Sequence, residues 1–133
     1  MPFFIMKVKT KKTLKKQCDI AWALAVRKTN NGLCEMCGKP AQNSHHIISR
    51  NNYSLRYDIR NGANLCINDH LFGRNSAHQN SLAFMEWFRS SRPDDYEYIK
   101  SKSNIIAHYS VLDYQNIYQK LKEVKCLLGN NTN

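Results

Sequence analysis

Acidic residues are scarce in this 133-residue sequence: Asp and Glu total 10, against 20 Lys and Arg. The formal charge is +10 with neutral His. So basic a chain favours a polyanionic partner, most simply nucleic acid. Long hydrophobic runs are missing, and no apolar stretch approaches the ~20 residues of a helical membrane span. The apolar fraction of 42% and charged fraction of 23% suit a globular chain. A secretory leader is not expected: Met1-Pro2-Phe3-Phe4-Ile5-Met6 has no basic segment before it and no small-residue cleavage site after it. The expected location is therefore the cytoplasm. Internal repeats and low-complexity linkers are also missing, and the length suits one domain over 1–133. The cysteine count is five; an odd number without a leader argues against a disulfide framework.

What is present divides into a helical start, a turn-rich centre and a helical end. Lys7, Lys9, Lys11, Lys12, Lys15 and Lys16 crowd the start, either as a solvated face or as a phosphate-contacting arm. Thr13 is a plausible cap for a helix to about Lys28. Leu14, Cys18, Ala21, Trp22, Ala25 and Val26 form its apolar face, and Asn30-Asn31-Gly32 ends it. The basic helical segment is placed at about 7–29. Between 33 and 66 the pattern reads as short strands and turns. Residues 43–48 suit a strand, 49–58 a polar loop, Asn61-Gly62 a turn, and 63–66 a returning strand. Ser81 is a candidate cap for a segment carrying Leu82, Phe84, Met85, Trp87 and Phe88, a stripe that reads as core. Helices are expected over about 94–102 and from Ser110, with a capping-box-like Ser110…Asp113, to Gly129. Cys18 and Cys126 fall in helical patterns and are expected to be buried thiols.

The chemistry-bearing residues gather in the centre. Cys34 and Cys37 form a C-x-x-C followed by Gly38, which suits a zinc knuckle. Four of the five histidines, His45, His46, His70 and His78, lie between 45 and 78, with Cys66 and Asp69 just before His70. The order is Cys34-x2-Cys37, His45-His46, Asn61, then Cys66-x2-Asp69-His70. Adjacent strand residues face opposite ways, so His45 and His46 do not both bind one ion on a regular strand. One is free to bind metal while the other faces water.

This order resembles the HNH nucleases, which use the ββα-metal fold, in the subtype with an added zinc knuckle. The resemblance spans about 30–92, and Ala77-His78-Gln79-Asn80 with the following aromatic segment is similar to small phage-type HNH proteins. It implies an α+β fold whose core is flanked by N- and C-terminal helices (the latter over about 94–129). It implies DNA phosphodiester hydrolysis, with 5′-phosphate and 3′-hydroxyl products. His45 is then a metal ligand, His46 the general base, Asn61 the residue that pins the loop, and His70 a second ligand at a helix start. The catalytic ion is expected to be Mg²⁺ or Mn²⁺, and the knuckle ion Zn²⁺.

Two departures from that pattern leave alternatives open. The second C-x-x-C of the zinc subtype is here Cys66-Ile67-Asn68-Asp69. Asp69 is adopted as fourth ligand with Cys34, Cys37 and Cys66. The alternatives are a Cys₃His site completed by His70, with His78 moving into the catalytic set, or a knuckle with little or no zinc. His78 follows His70 by eight residues, about 12 Å along an unbroken helix. It joins His45 and His70 only if Gly73 to Ser76 loops out. Arg50, Arg56, Arg60 and Arg74, with Lys11, Lys12, Lys15 and Lys16, are candidate DNA contacts. The rival reading is a non-catalytic zinc-containing module that binds nucleic acid, which needs neither His46 nor a second ion.

Overall fold

The computed structural model describes residues 8–130, and side chains as far as 124. The expectations for Lys7 and for the side chains of Cys126 and Leu128 lie outside the described residues. Helix α1 (Lys11–Lys28) buries Leu14, Cys18, Ala21, Trp22, Ala25 and Val26, the face expected from their spacing. Its cap is Thr10 rather than Thr13. Thr10 has the extended backbone a cap requires, and its Oγ1 accepts from Thr13 N–H at 3.2 Å. Asn30, Asn31 and Gly32 then hold φ of 54°, 57° and 75° and reverse the chain. Asn tolerates this left-handed region better than most side chains.

Strands β1 (Asn43–His46) and β2 (Gly62–Leu65) pair antiparallel, with His45 opposite Ala63 and His46 opposite Gly62. The first strand is shorter than expected: Ile47 N–H turns to the Asn61 carbonyl, and Ile48 N–H to the Asn61 side chain. The intervening polar segment is not all loop. Asn52 caps a one-turn helix, α2 (Tyr53–Arg56), by accepting from Ser54 N–H. The expected Asn61-Gly62 turn is also corrected. Asn61 ends a tight helical turn begun at Ile59, and Gly62 already belongs to the strand. A Cβ on Gly62 would lie 2.6 Å from Val26 Cγ2 and 2.8 Å from Trp22 Cζ2. Glycine is needed there because α1 crosses the sheet at that point.

Helix α3 (Ser81–Ser91) is capped by Asn80, whose Oδ1 accepts from Ala83 N–H at 3.0 Å, rather than by Ser81. Phe84 and Phe88 enter the core, but Leu82 is 72% exposed and leaves the stripe expected to be buried. Helix α4 (Pro93–Lys102) starts on proline with Asp94 and Asp95 in its first turn. Helix α5 (Val111–Asn130) runs one residue past Gly129. Ser110 N–H donates to Asp113 Oδ2 and Asp113 N–H to Ser110 Oγ, the reciprocal box anticipated from sequence.

The apolar side chains form two clusters. Ile47, Leu55, Ala63, Leu65, Phe84, Phe88 and Ile99 surround the sheet. Leu14, Cys18, Trp22, Tyr57, Tyr114 and Leu121 join α1 to α5. Arg92 ties the start of β2 to the knuckle and to α4. It donates to Glu35 Oε2 at 3.1 Å, the Gly62 carbonyl at 2.7 Å and Asp95 Oδ2 at 2.7 Å. The fold is α+β, of the ββα-metal kind. Among the described residues no helix is long and apolar enough to cross a membrane.

Candidate active site

The knuckle is a tight reversal between Leu33 and Pro40, which bridge in antiparallel fashion. Gly38 N–H donates to the Cys34 carbonyl, and the positive φ of Gly38 (78°) permits the turn. Cys66 follows β2, and Asp69 lies in the helical turn after it. Cys37 Sγ and Cys66 Sγ are 3.6 Å apart, and Asp69 Oδ2 lies 3.2 Å from Cys34 Sγ and 3.3 Å from Cys66 Sγ. A tetrahedral ion with the usual Zn–S and Zn–O bonds would space its ligands by about 3.5–3.8 Å. The Cys₃Asp group therefore fits one ion with small adjustments. Burial pushes the Cys34 thiol up. At Cys37 the backbone at Lys39 pulls down, but the Asp69 carboxylate and burial win and push it up to about 12. Asp69 itself sits below the ordinary carboxylate value. Burial acts upward there and is outweighed by the thiols of Cys37, Cys34 and Cys66. A cation is what such a donor set favours.

His70 is not in this group. The segment Asn68–Phe72 is a single wide helical turn, closed by Gly73 N–H on the Asn68 carbonyl at 2.7 Å. The chain then loops out through Gly73–Ser76 and returns. Ala77 N–H reaches the Asp69 carbonyl at 2.8 Å and His78 N–H the His70 carbonyl at 3.1 Å. The eight-residue separation is thereby cancelled, and the Nε2 atoms of His70 and His78 lie 3.1 Å apart. His45 completes the group, its ring centroid 5.1 Å from that of His70 and 5.0 Å from that of His78. One nitrogen from each ring falls within 4.8 Å of the others. Burial, followed by the neighbouring imidazoles, pushes His45 down to about 3, and burial and His78 lower His70. Neutral imidazole is the form that binds a cation. His70 Nδ1 is buried with no protein partner.

His46 faces the other side of β1. Its ring stacks on Trp22 at 3.7 Å between centroids and 8° between planes. Its Nε2 lies 2.9 Å from the Arg56 carbonyl. A carbonyl only accepts, so Nε2 carries the hydrogen and Nδ1 keeps the free lone pair. Burial, with the charges of Arg50 and Arg56, holds His46 below its ordinary value despite the opposing pull of that carbonyl. Asn61, wholly buried, donates from Nδ2 to the carbonyls of Ile48 and Leu55 and accepts at Oδ1 from Ile48 N–H. It clamps both ends of the segment that presents the Arg56 carbonyl.

One open cleft of about 560 Å³ is lined by His45, His46, His70, His78 and Arg50. The Arg50 side chain is 62% exposed at its rim. Arg56, expected among the DNA contacts, is instead 5% exposed and bound through two 2.8 Å bonds to Asp19. Its guanidinium is committed to holding α1 against α2. Arg60 is likewise engaged, by Asp95 at 2.7 Å and by the Tyr98 ring. Arg74 is exposed on the looped-out segment, and Lys11, Lys12 and Lys16 are exposed on α1, with Lys15 half-buried. Sequence reasoning missed Trp22 as the platform for His46 and Asp19 as the partner of Arg56. Both sit on α1, remote in the chain, and no local spacing signals them.

The family model described as HNH endonuclease matches residues 34–72. No curated protein and no solved structure matches the chain. That segment holds the knuckle, both strands, Asn61 and His70. That segment matches the HNH endonuclease family, a superfamily that is metal-dependent and acts on nucleic acid.

Proposed function

With residues 34–72 as a domain of the HNH endonuclease superfamily, we propose that the protein is a metal-dependent endonuclease that hydrolyses DNA phosphodiester bonds. The observation that carries this reading is the division of labour across β1. His45 joins two other imidazoles on one face, His46 presents a free Nδ1 on the other, and both line one cleft. His45, His70 and His78 would hold the catalytic ion, Mg²⁺ or Mn²⁺, and Cys34, Cys37, Cys66 and Asp69 a structural Zn²⁺. The catalytic cation supplies positive charge beside the phosphate and its leaving oxygen.

The rest is done by the chain. His46 takes a proton from the attacking water at Nδ1, and the bond from Nε2–H to the Arg56 carbonyl steadies the imidazolium that forms. The Trp22 face fixes the ring plane. The water oxygen bonds to phosphorus as the bond to the 3′ oxygen breaks, and that oxygen takes a proton from solvent, leaving a 5′-phosphate and a 3′-hydroxyl. Arg50 is placed to bind a phosphate at the cleft, because its nearest carboxylate, on Asp19 at 3.7 Å, is already neutralised by Arg56. Arg74 is exposed to do the same from the looped-out segment.

The test is cleavage of duplex DNA under Mg²⁺ and Mn²⁺ by wild type and by His46→Ala. General-base removal should lower the rate by about 10²–10⁴-fold, with DNA binding retained. His45→Ala and His70→Ala should lose cleavage together with divalent-ion binding by calorimetry. If wild type cuts no DNA with any divalent ion while still binding it, the non-catalytic zinc module takes its place.

A further inference from the structure

Beyond the cleft lie two further concavities, which together with it make a row that we call the trough. The catalytic cleft shares Ser49 with a second open concavity of about 630 Å³, lined by Asn51, Asn52 and the 103–108 segment. That concavity shares Tyr53, Ala107 and His108 with a third, of about 390 Å³, whose wall carries Lys11, Lys12 and Lys15. The three are therefore neighbours along the surface between the three-histidine group and the start of α1.

The chemistry changes along this path. Arg50 stands at the first concavity, amide and hydroxyl side chains line the middle, and lysines line the far end. Among the described residues, no carboxylate lines any of the three. Ile105 and Ile106 edge the middle section, and Ile106 is 83% exposed. Lys15 Nζ lies 4.7 Å from the centre of the Tyr53 ring, so the far end pairs a cation with an aromatic face. The segment that forms the shared wall is fastened: Asn52 Nδ2 donates to the Ser103 carbonyl at 2.8 Å, and Tyr109 Oη to the Tyr53 carbonyl at 2.9 Å.

We propose that this trough is a substrate track: a nucleic-acid strand leaves the cleavage site past Arg50 and Asn51, and its backbone is held again by Lys11, Lys12 and Lys15. The proposal rests on the nuclease reading of the cleft and adds a second, remote phosphate subsite to it. A phosphodiester strand matches the path because its backbone is anionic throughout while its bases offer flat apolar faces and amide-matching edges. The structure also divides the lysines. Lys16, adjacent in sequence to Lys15, is exposed but does not line the trough, so it serves as a matched control.

The experiment uses the full chain and DNA duplexes with the cut site near the middle, or near one or the other end. Binding is followed without added divalent ion and without chelator, so that any knuckle zinc is kept, and cleavage under Mg²⁺. Neutralising three phosphate contacts in K11A/K12A/K15A should make log K against log salt shallower by about 2–3. KM should rise at unchanged kcat. Lys16→Ala should change the salt slope by less than the per-lysine share of the triple variant. Ile106→Ser should weaken binding of the centred duplex. Removing the DNA flank on one side of the cut should abolish the difference between wild type and the triple variant; removing the other flank should not. A triple variant with the wild-type slope, a Lys16→Ala effect equal to one-third of the triple effect, or a difference that survives removal of each flank would overturn the track. Cleavage by His46 at the centre would be untouched by any of these outcomes, so the two readings fail separately.

Discussion

A single buried amide holds the loop that brings the Arg56 carbonyl to His46. Asn61 makes three hydrogen bonds to the backbone of Ile48 and Leu55. Asn61→Ala would leave the half-buried Ile48 N–H and carbonyl without their side-chain partner, each worth about 1–3 kcal/mol, while the Leu55 carbonyl keeps the Asp58 N–H. We expect a loss of at least ~2 kcal/mol in urea unfolding. Cleavage should fall further than stability alone explains, since the Arg56 carbonyl would no longer be held against His46. A variant with the wild-type urea midpoint would show that the loop is held by other contacts. Asn61→Asp should not rescue it, because a carboxylate accepts but cannot donate to two carbonyls.

At the scale of elements, the critical contact is α1 on the sheet. Gly62→Ala would drive a Cβ into Val26 and Trp22, both buried. Overpacking of this kind costs about 1–3 kcal/mol. The displaced Trp22 ring is the one that stacks on His46, so we expect both a lower Tm and slower cleavage. Equal activity at lowered Tm would mean that the stack is dispensable. The start of α3 offers a cleaner comparison. Asn80→Ala should cost about 0.5–2 kcal/mol as a lost cap, whereas Ser81→Ala should be nearly neutral. The reverse ranking by thermal unfolding would return the cap to Ser81.

For the whole molecule, metal and pH set the limits of stability. If Cys34, Cys37, Cys66 and Asp69 share an ion, purified protein should hold about one Zn²⁺ beyond any at the histidines. Chelation should then lower Tm, and so should Cys37→Ser. Asp69→Cys should slow zinc release to a chromogenic chelator, since thiolate is the softer ligand; faster release would remove Asp69 from the set. The acid limit involves Asp95. Burial raises its pKa, but the bonds from Arg60 and Arg92 prevail and hold it below its ordinary 3.8. A depressed carboxylate contributes stability above its unfolded value and loses it as pH falls through its folded value. Asp95→Asn should therefore be less stable than wild type near neutrality, with the gap closing as pH falls below the ordinary carboxylate range. A gap that stays constant with pH would assign the effect to packing.

What could be read from the chain was whatever depends on neighbours a few residues apart. The buried face of α1, the Ser110–Asp113 box and the alternation of His45 and His46 across β1 all follow from local periodicity. The Cys and His spacings marked out both donor groups, but not their membership. Asp69 and His70 are adjacent in sequence, and only the wide turn at Asn68–Phe72 and the loop after it send one to the cysteines and the other to His45. That geometry depends on long-range closure, with Ala77 and His78 returning to the Asp69 and His70 carbonyls. The fate of Arg56 depended in the same way on Asp19, which comes from a helix 37 residues earlier. Local composition gave both arginines, Arg50 and Arg56, the same reading; burial against α1 turned one into a strut and left the other at the cleft. The sequence by itself determined the residue types of the chemistry and the helices that carry them. Tertiary packing decided which groups face one another, because burial and charge pairing act between segments that the chain does not place side by side.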